Sequence, residues 1–234
     1  MLLKREVYAY ALSAVNFYGF IPLRNLTKII NDYEGTDYTT SQVEEIVVSY
    51  IDEECFVQKR ARVLYQKHMF EDTDVLEVYE GLKMKPYYVP ESKDEFLKYT
   101  DATYYELGEE FEQLHEFLTK WTENKDLAFN MSKNAVMAFN VDCPITEMYE
   151  LTLVKLNDYL NLIKSPHYLT DVSRSTMISL LINLNHSVRK ISLRGFKPCE
   201  VTENDEEEEF YNYSFFIIML LIFLITTIYF LVLF

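Results

Sequence analysis

Along most of this chain apolar residues return every three or four positions, the period of a helix with one face turned to a core. The first such stretch predicts a helix over 4–17, where Val7, Tyr10, Ala11, Ala14, Val15 and Tyr18 share a face and Gly19 ends the run. Pro22 suits the first turn of a second helix over 23–33, with Leu26, Ile29 and Ile30 on one stripe and Gly35 as its break. Either Thr39 or Thr40 can cap a third helix that turns Val43, Ile46, Val47, Tyr50 and Ile51 inward. The period then shortens. Residues 55–58 and 62–66 are β-branched or aromatic runs about Lys59 and Arg60, which predicts a β-hairpin.

Three helices followed by a hairpin is the order of a winged-helix-like unit, expected over 1–84. The acidic stretch 71–80 predicts a loop or a short helix, and Pro86 and Pro90 hold the chain extended at a domain boundary. Ser92 and Glu95 then form a capping pair ahead of Phe96, Leu97 and Tyr99. A long helix is expected over 104–121, with Tyr104, Leu107, Phe111, Leu114, Phe117 or Leu118, and Trp121 inward and Glu106, Glu109, Glu110 and Glu112 in water. Further helices are expected over 126–139, from Thr146 with Met148, Leu151, Leu156, Leu160 and Ile163 as core, and from Asp171 or Ser173 with Ile178, Leu181, Ile182, Asn185 and Val188 inward. The region 85–201 therefore reads as an α-helical bundle or array, and the fold class as mainly α.

The pattern changes completely at the end. Residues 202–210 carry the acidic run ENDEEEE and predict a solvated tether, and 211–234 are expected to anchor the chain in a membrane. Within that anchor, 215–234 hold no charge, glycine or proline, and twenty residues at 1.5 Å each span roughly 30 Å of hydrocarbon as one transmembrane helix. Arg189, Lys190, Arg194 and Lys197 all precede the span, so the bulk of the chain is expected on the cytoplasmic side, single-pass and tail-anchored. The early apolar run 7–23 contains Tyr8, Tyr10, Asn16 and Tyr18 and no small-x-small cleavage pattern, and reads as a core helix and not a secretion signal.

Composition sharpens this picture. With 19 Tyr and 16 Phe the soluble part can bury large rings without metal or disulfide support, and Cys55, Cys143 and Cys199 lie far apart, as free thiols do. A net charge of −15 repels both DNA phosphate and anionic lipid, so binding either requires a local basic patch.

Two runs carry a resemblance to a known family. Residues 85–118, opening KPYYVP, and 181–201, LINLNHSVRKISLRGFKPCEV, resemble segments of a poorly characterised family of low-GC Gram-positive bacteria, some members of which are similar to proteins with a C-terminal SEC-C zinc motif. The family's ending is matched by Asn185, Arg189, Gly195, Pro198 and Glu200. After Cys199 this chain has no clustered Cys and His, so the resemblance implies neither zinc nor an activity here.

Chemistry is sparse. The five glycines never cluster into a phosphate loop, His115-Glu116 lacks the second histidine of a zincin, and no G-x-S-x-G occurs. No catalytic residue, cofactor or metal is expected, and the chain is expected not to be an enzyme. The densest basic cluster, Lys59, Arg60, Arg62 and Lys67, is a candidate contact for nucleic acid or a partner, although the third helix holds five carboxylates and no Lys or Arg. Asn185, His186 and Arg189 are a second candidate polar site, and Arg189, Arg194 and Lys197 are candidate contacts for lipid headgroups. The expected function is a non-enzymatic, membrane-tethered cytoplasmic module for protein interaction. The competing expectation is a membrane-anchored, DNA-associated regulator working through the N-terminal unit.

Overall fold

The computed structural model describes residues 2–52, 55–71, 73–82, 85–165 and 169–201. The expected tether and transmembrane helix lie outside the described residues, and the fold below concerns the compact unit Met1–Pro198. Among the described residues no helix is long and apolar enough to cross a membrane.

The chain is mainly helical, with nine α-helices and one small sheet among the described residues. Helix α1, Lys4–Tyr18, is the centre of the first core, because apolar residues surround it: Val7, Tyr10, Ala11, Ala14, Val15, Phe17 and Tyr18 are all buried. Gly19, at φ +73°, ends it. Helices α2, Leu23–Glu34, and α3, Thr40–Val48, pack on α1, and Thr39 caps α3 with Gln42 reaching back to the Thr39 backbone. Tyr50, expected inward, is exposed beyond the end of α3, where it stacks on Tyr8.

Strands β1, Phe20–Pro22, β2, Val57–Arg60, and β3, Val63–Gln66, form an antiparallel sheet in the order β1-β3-β2. Phe20 pairs with Tyr65 and Ile21 with Leu64, while Arg60 and Val63 close the hairpin across a two-residue turn. The hairpin was legible in the sequence; β1 was not. Three residues are too few to show alternation, and Pro22 stands at the strand end where a missing N–H costs little. A short helix α4, Val75–Leu82, covers the sheet through Val75 and Leu82, which join Phe20 and Val63 in a small core of their own.

The stretch that follows lies on α1. Tyr33 Oη donates to the Pro90 carbonyl at 2.5 Å, Tyr18 Oη to that of Tyr88 at 2.6 Å, and Phe96, in helix α5, Lys93–Leu97, is fully buried against Tyr10 and Phe17. Ser92 caps α5, as its spacing from Glu95 predicts.

Helices α6, Glu109–Thr122, α7, Lys125–Asn140, α8, Ile145–Leu162, and α9, Asp171–Ser187, enclose the second core. Small residues at Ala128, Ser132 and Ala135 let α7 come close to its neighbours, while Phe111, Leu114, Phe139, Leu156 and Leu181 fill the interior. Three expectations need correction. Helix α6 starts five residues later than its pattern suggests, since Asp101 holds Thr103 in a turn and Tyr104 packs edge-on against Tyr99. Helix α8 starts at Ile145 behind Pro144, whose carbonyl takes the Met148 N–H, so Thr146 is inside the first turn and not its cap. Leu107, Leu151, Ile163, Ile178 and Ile182, expected inward, are exposed.

Candidate functional site

Lys59 and Arg60 of the basic cluster pair with acidic neighbours. Lys59 Nζ sits 2.8 Å from Glu44 Oε1 of α3, and Arg60 Nη2 sits 2.7 Å from Asp74 Oδ2. His68, next to Lys67, lies 2.8 Å from Glu71. Each pairing cancels part of the field a phosphate would feel. Arg62 differs, since it lines a cleft shared with Arg24.

The second group is spread over two networks instead of one. His186 is exposed. Asn185 Oδ1 accepts from Lys190 Nζ at 2.6 Å, and the same ammonium donates to the Phe139 carbonyl at the end of α7 at 2.7 Å. Lys190 is 5% exposed; burial lowers its pKa, with Asp142, 3.9 Å away, opposing.

Arg189 belongs to the other network. Its Nε donates to Glu106 Oε1 at 2.7 Å and its Nη1 to the Gly195 carbonyl at 2.9 Å, while its guanidinium lies 3.8 Å from the Tyr88 ring centre. Asn140 of α7 holds the Arg189 carbonyl at 2.7 Å. Lys197 reaches Glu106 Oε2 at 3.2 Å and Tyr99 Oη donates to Oε1 at 3.1 Å, so one carboxylate collects three donors. Arg194 is 3% exposed, donates from Nη1 to the Lys85 carbonyl at 3.0 Å and rests 4.4 Å from the Tyr87 ring centre.

This corrects one expectation in part: Glu106 is half-buried and its carboxylate is paired with protein cations, and Arg189, Arg194 and Lys197 are engaged by protein groups. The segment 188–197 works as a seam: Tyr88 N–H donates to the Arg194 carbonyl on the α1 side, and Ile191 N–H donates to the Asn140 carbonyl on the bundle side. Sequence reading singled out Arg189 but could not show its partner, which lies 83 positions away.

A pH dependence follows from Glu106. Burial pushes its carboxyl up, but the hydrogen bond and charge of Arg189, then Lys197, outweigh this and the net shift is downward. A carboxylate held below its ordinary range stabilises the fold above the unfolded-state value, about 4.3, and that contribution is lost as pH falls through the lower folded value. In urea unfolding of the full-length chain in detergent, Glu106→Gln is therefore expected to weaken the fold at pH 7 and to flatten its loss of stability below about pH 4.3. Equal acid dependence in the two proteins would remove Glu106 from the seam's electrostatics.

Among the described residues no group of three or more His, Cys, Asp or Glu side chains could hold a metal ion, and Cys55, Cys143 and Cys199 are free thiols. Burial, then Glu147, push the Cys143 thiol up, away from the reactive thiolate. Compared with known proteins, the chain matches no family model, no curated protein and no solved structure.

Proposed function

We propose that the protein is a non-enzymatic interaction module, held by its C-terminal segment on the cytoplasmic face of a membrane, where its helical part engages a cytoplasmic protein. The observation that carries this reading is the number of large aliphatic side chains left in water on two neighbouring helices. On α8, Leu151, Val154 and Leu162 are exposed, the last 79% so; on α9, Val172, Ile178 and Ile182 are. Isolated exposed aliphatics are ordinary, but pairs at helical spacing, Leu151 with Val154 and Ile178 with Ile182, are what a partner's apolar surface covers. The uncharged sequence 215–234 supports tethering.

The order α1-β1-α2-α3-β2-β3 supports a winged-helix-like reading of the N-terminal part, and with it the second reading as a DNA-associated regulator. The Lys59–Glu44 and Arg60–Asp74 pairs favour a protein-facing role over a phosphate-facing one. Proximity labelling from an N-terminal tag in living cells tests the choice. Labelled cytoplasmic proteins should be lost when Leu151, Val154 and Ile182 become Ser, at unchanged membrane association. Labelling that ignores these changes and falls only when Lys59, Arg60 and Arg62 become Ala would favour the second reading.

A further inference from the structure

Between the start of α2, the start of α3, the hairpin turn and α4 lies a cleft of about 550 Å³. This is within the range of small-molecule sites, about 300–1,000 Å³. Its walls are of two kinds. Val63 and Leu76 are apolar and Tyr79 supplies a ring, while Arg24 and Arg62 bring two guanidiniums from elements far apart in sequence.

Behind this wall sits a third cation. Arg194 is buried, its Nε and Nη2 have no hydrogen-bond partner, and it forms no ion pair among the described residues. Its guanidinium lies 6.0 Å from the ring centre of Tyr79, which lines the cleft, and 4.4 Å from that of Tyr87. Burial lowers its pKa first, Tyr87 and Tyr79 oppose this, and Arg24 adds a last, smaller lowering. Two arginines thus line a cleft with one carboxylate, Glu80, on a chain of net charge −15, and Arg194 lies behind its Tyr79 wall. Two guanidiniums on one lining attract an anion.

We propose that this cleft binds a small phosphomonoester with a flat apolar body. The phosphoryl group, a dianion at neutral pH with a second pKa near 6, takes Arg24 and Arg62, whose planar N–H forks suit its oxygens. The body lies against Leu76, Val63 and the Tyr79 ring. Thr40, a hydroxyl on the same lining, accepts from or donates to a polar substituent on the body. The site is separate from the exposed aliphatics of α8 and α9, so it stands or falls independently of the interaction reading.

The test is calorimetric titration of the full-length chain in detergent micelles with phenyl phosphate, inorganic phosphate and phenol at pH 7.5. Saturable binding of phenyl phosphate is expected, with inorganic phosphate and phenol each at least about tenfold weaker, because anion and body both contribute. Arg24→Gln and Arg62→Gln, both at exposed positions, should each weaken phenyl phosphate about tenfold or more at an unchanged melting temperature. Lys59→Gln, outside the cleft, should leave it alone. No saturable binding up to about 10 mM, equal binding of phosphate and phenyl phosphate, or indifference to both arginine changes would each overturn the proposal.

Discussion

Arg189→Ala is expected to lower the melting temperature of the full-length chain by roughly 10 °C, from a loss of about 3–4 kcal/mol at about 2–4 °C per kcal/mol. The guanidinium makes three kinds of contact at once: a charged hydrogen bond to Glu106, a donation to the Gly195 carbonyl, and a face-on contact with Tyr88. Removing it leaves a half-buried carboxylate with weaker compensation and a carbonyl without that donor, and this orphaning accounts for most of the cost. The stack adds about 0.5–2 kcal/mol. These contributions do not sum simply, since the two hydrogen bonds share one side chain. Arg189→Lys separates them: an ammonium can still meet Glu106 but cannot span Glu106 and Gly195 while lying flat on a ring, so an intermediate loss is expected. A melting temperature unchanged in Arg189→Ala would mean the seam is incidental.

Gly195→Ala is expected to be as damaging, by about 3 kcal/mol, for a different reason. Gly195 has φ +86°, a region that costs an L-residue about 1–2 kcal/mol. A Cβ there would also sit 2.9 Å from Phe17 Cε1 and 3.0 Å from Tyr18 Cε1. Both rings are buried in the first core and cannot step aside freely, which adds about 1–3 kcal/mol of overpacking. Gly35 provides the control. Its φ is +60° but nothing lies within 4 Å of the added carbon, so Gly35→Ala should show the backbone cost alone, about 1–2 kcal/mol. Equal losses at Gly35 and Gly195 in urea denaturation would show that the segment 188–197 is not wedged against α1.

These two residues show what a sequence can and cannot convey. Helical period locates α1 and α2 to within a residue, since their apolar stripes are long and their breaks are Gly19 and Gly35, and it finds the threonine-capped start of α3 but runs past that helix's end at Val48. Strand β1 is too short to have a period, and α6 was overextended because tertiary contacts of Tyr104 and Glu106 won over a continuous stripe. Periodicity also says which residues share a face but not whether that face is covered, which is why Leu151, Ile178 and Ile182 were placed inside. Charge is only partly legible for the same reason. Arg189, Arg194 and Lys197 form a basic run in the sequence, and the structure adds that each is held by groups distant in sequence: Glu106, with Tyr99 beside it, and the Lys85 carbonyl. Arg189 and Gly195 stand together in the run 181–201, and their dependence on α1 becomes visible only when the chain has folded.

The seam also bears on the proposed function. Residues 188–197 accept from Tyr88 N–H on the α1 side and donate to the Phe139 and Asn140 carbonyls at the end of α7, so one segment ties the two cores. A partner bound on α8 and α9 would therefore act on a body that includes the N-terminal part.

The proposal that the chain works as a membrane-held module is tested most directly by alkaline extraction of membranes from cells making either the full-length chain or one ending at Val201. The full-length chain is expected to stay in the pellet at high pH and to be released only by detergent, while the shortened chain is in the supernatant. Full-length chain released by alkali alone would contradict it.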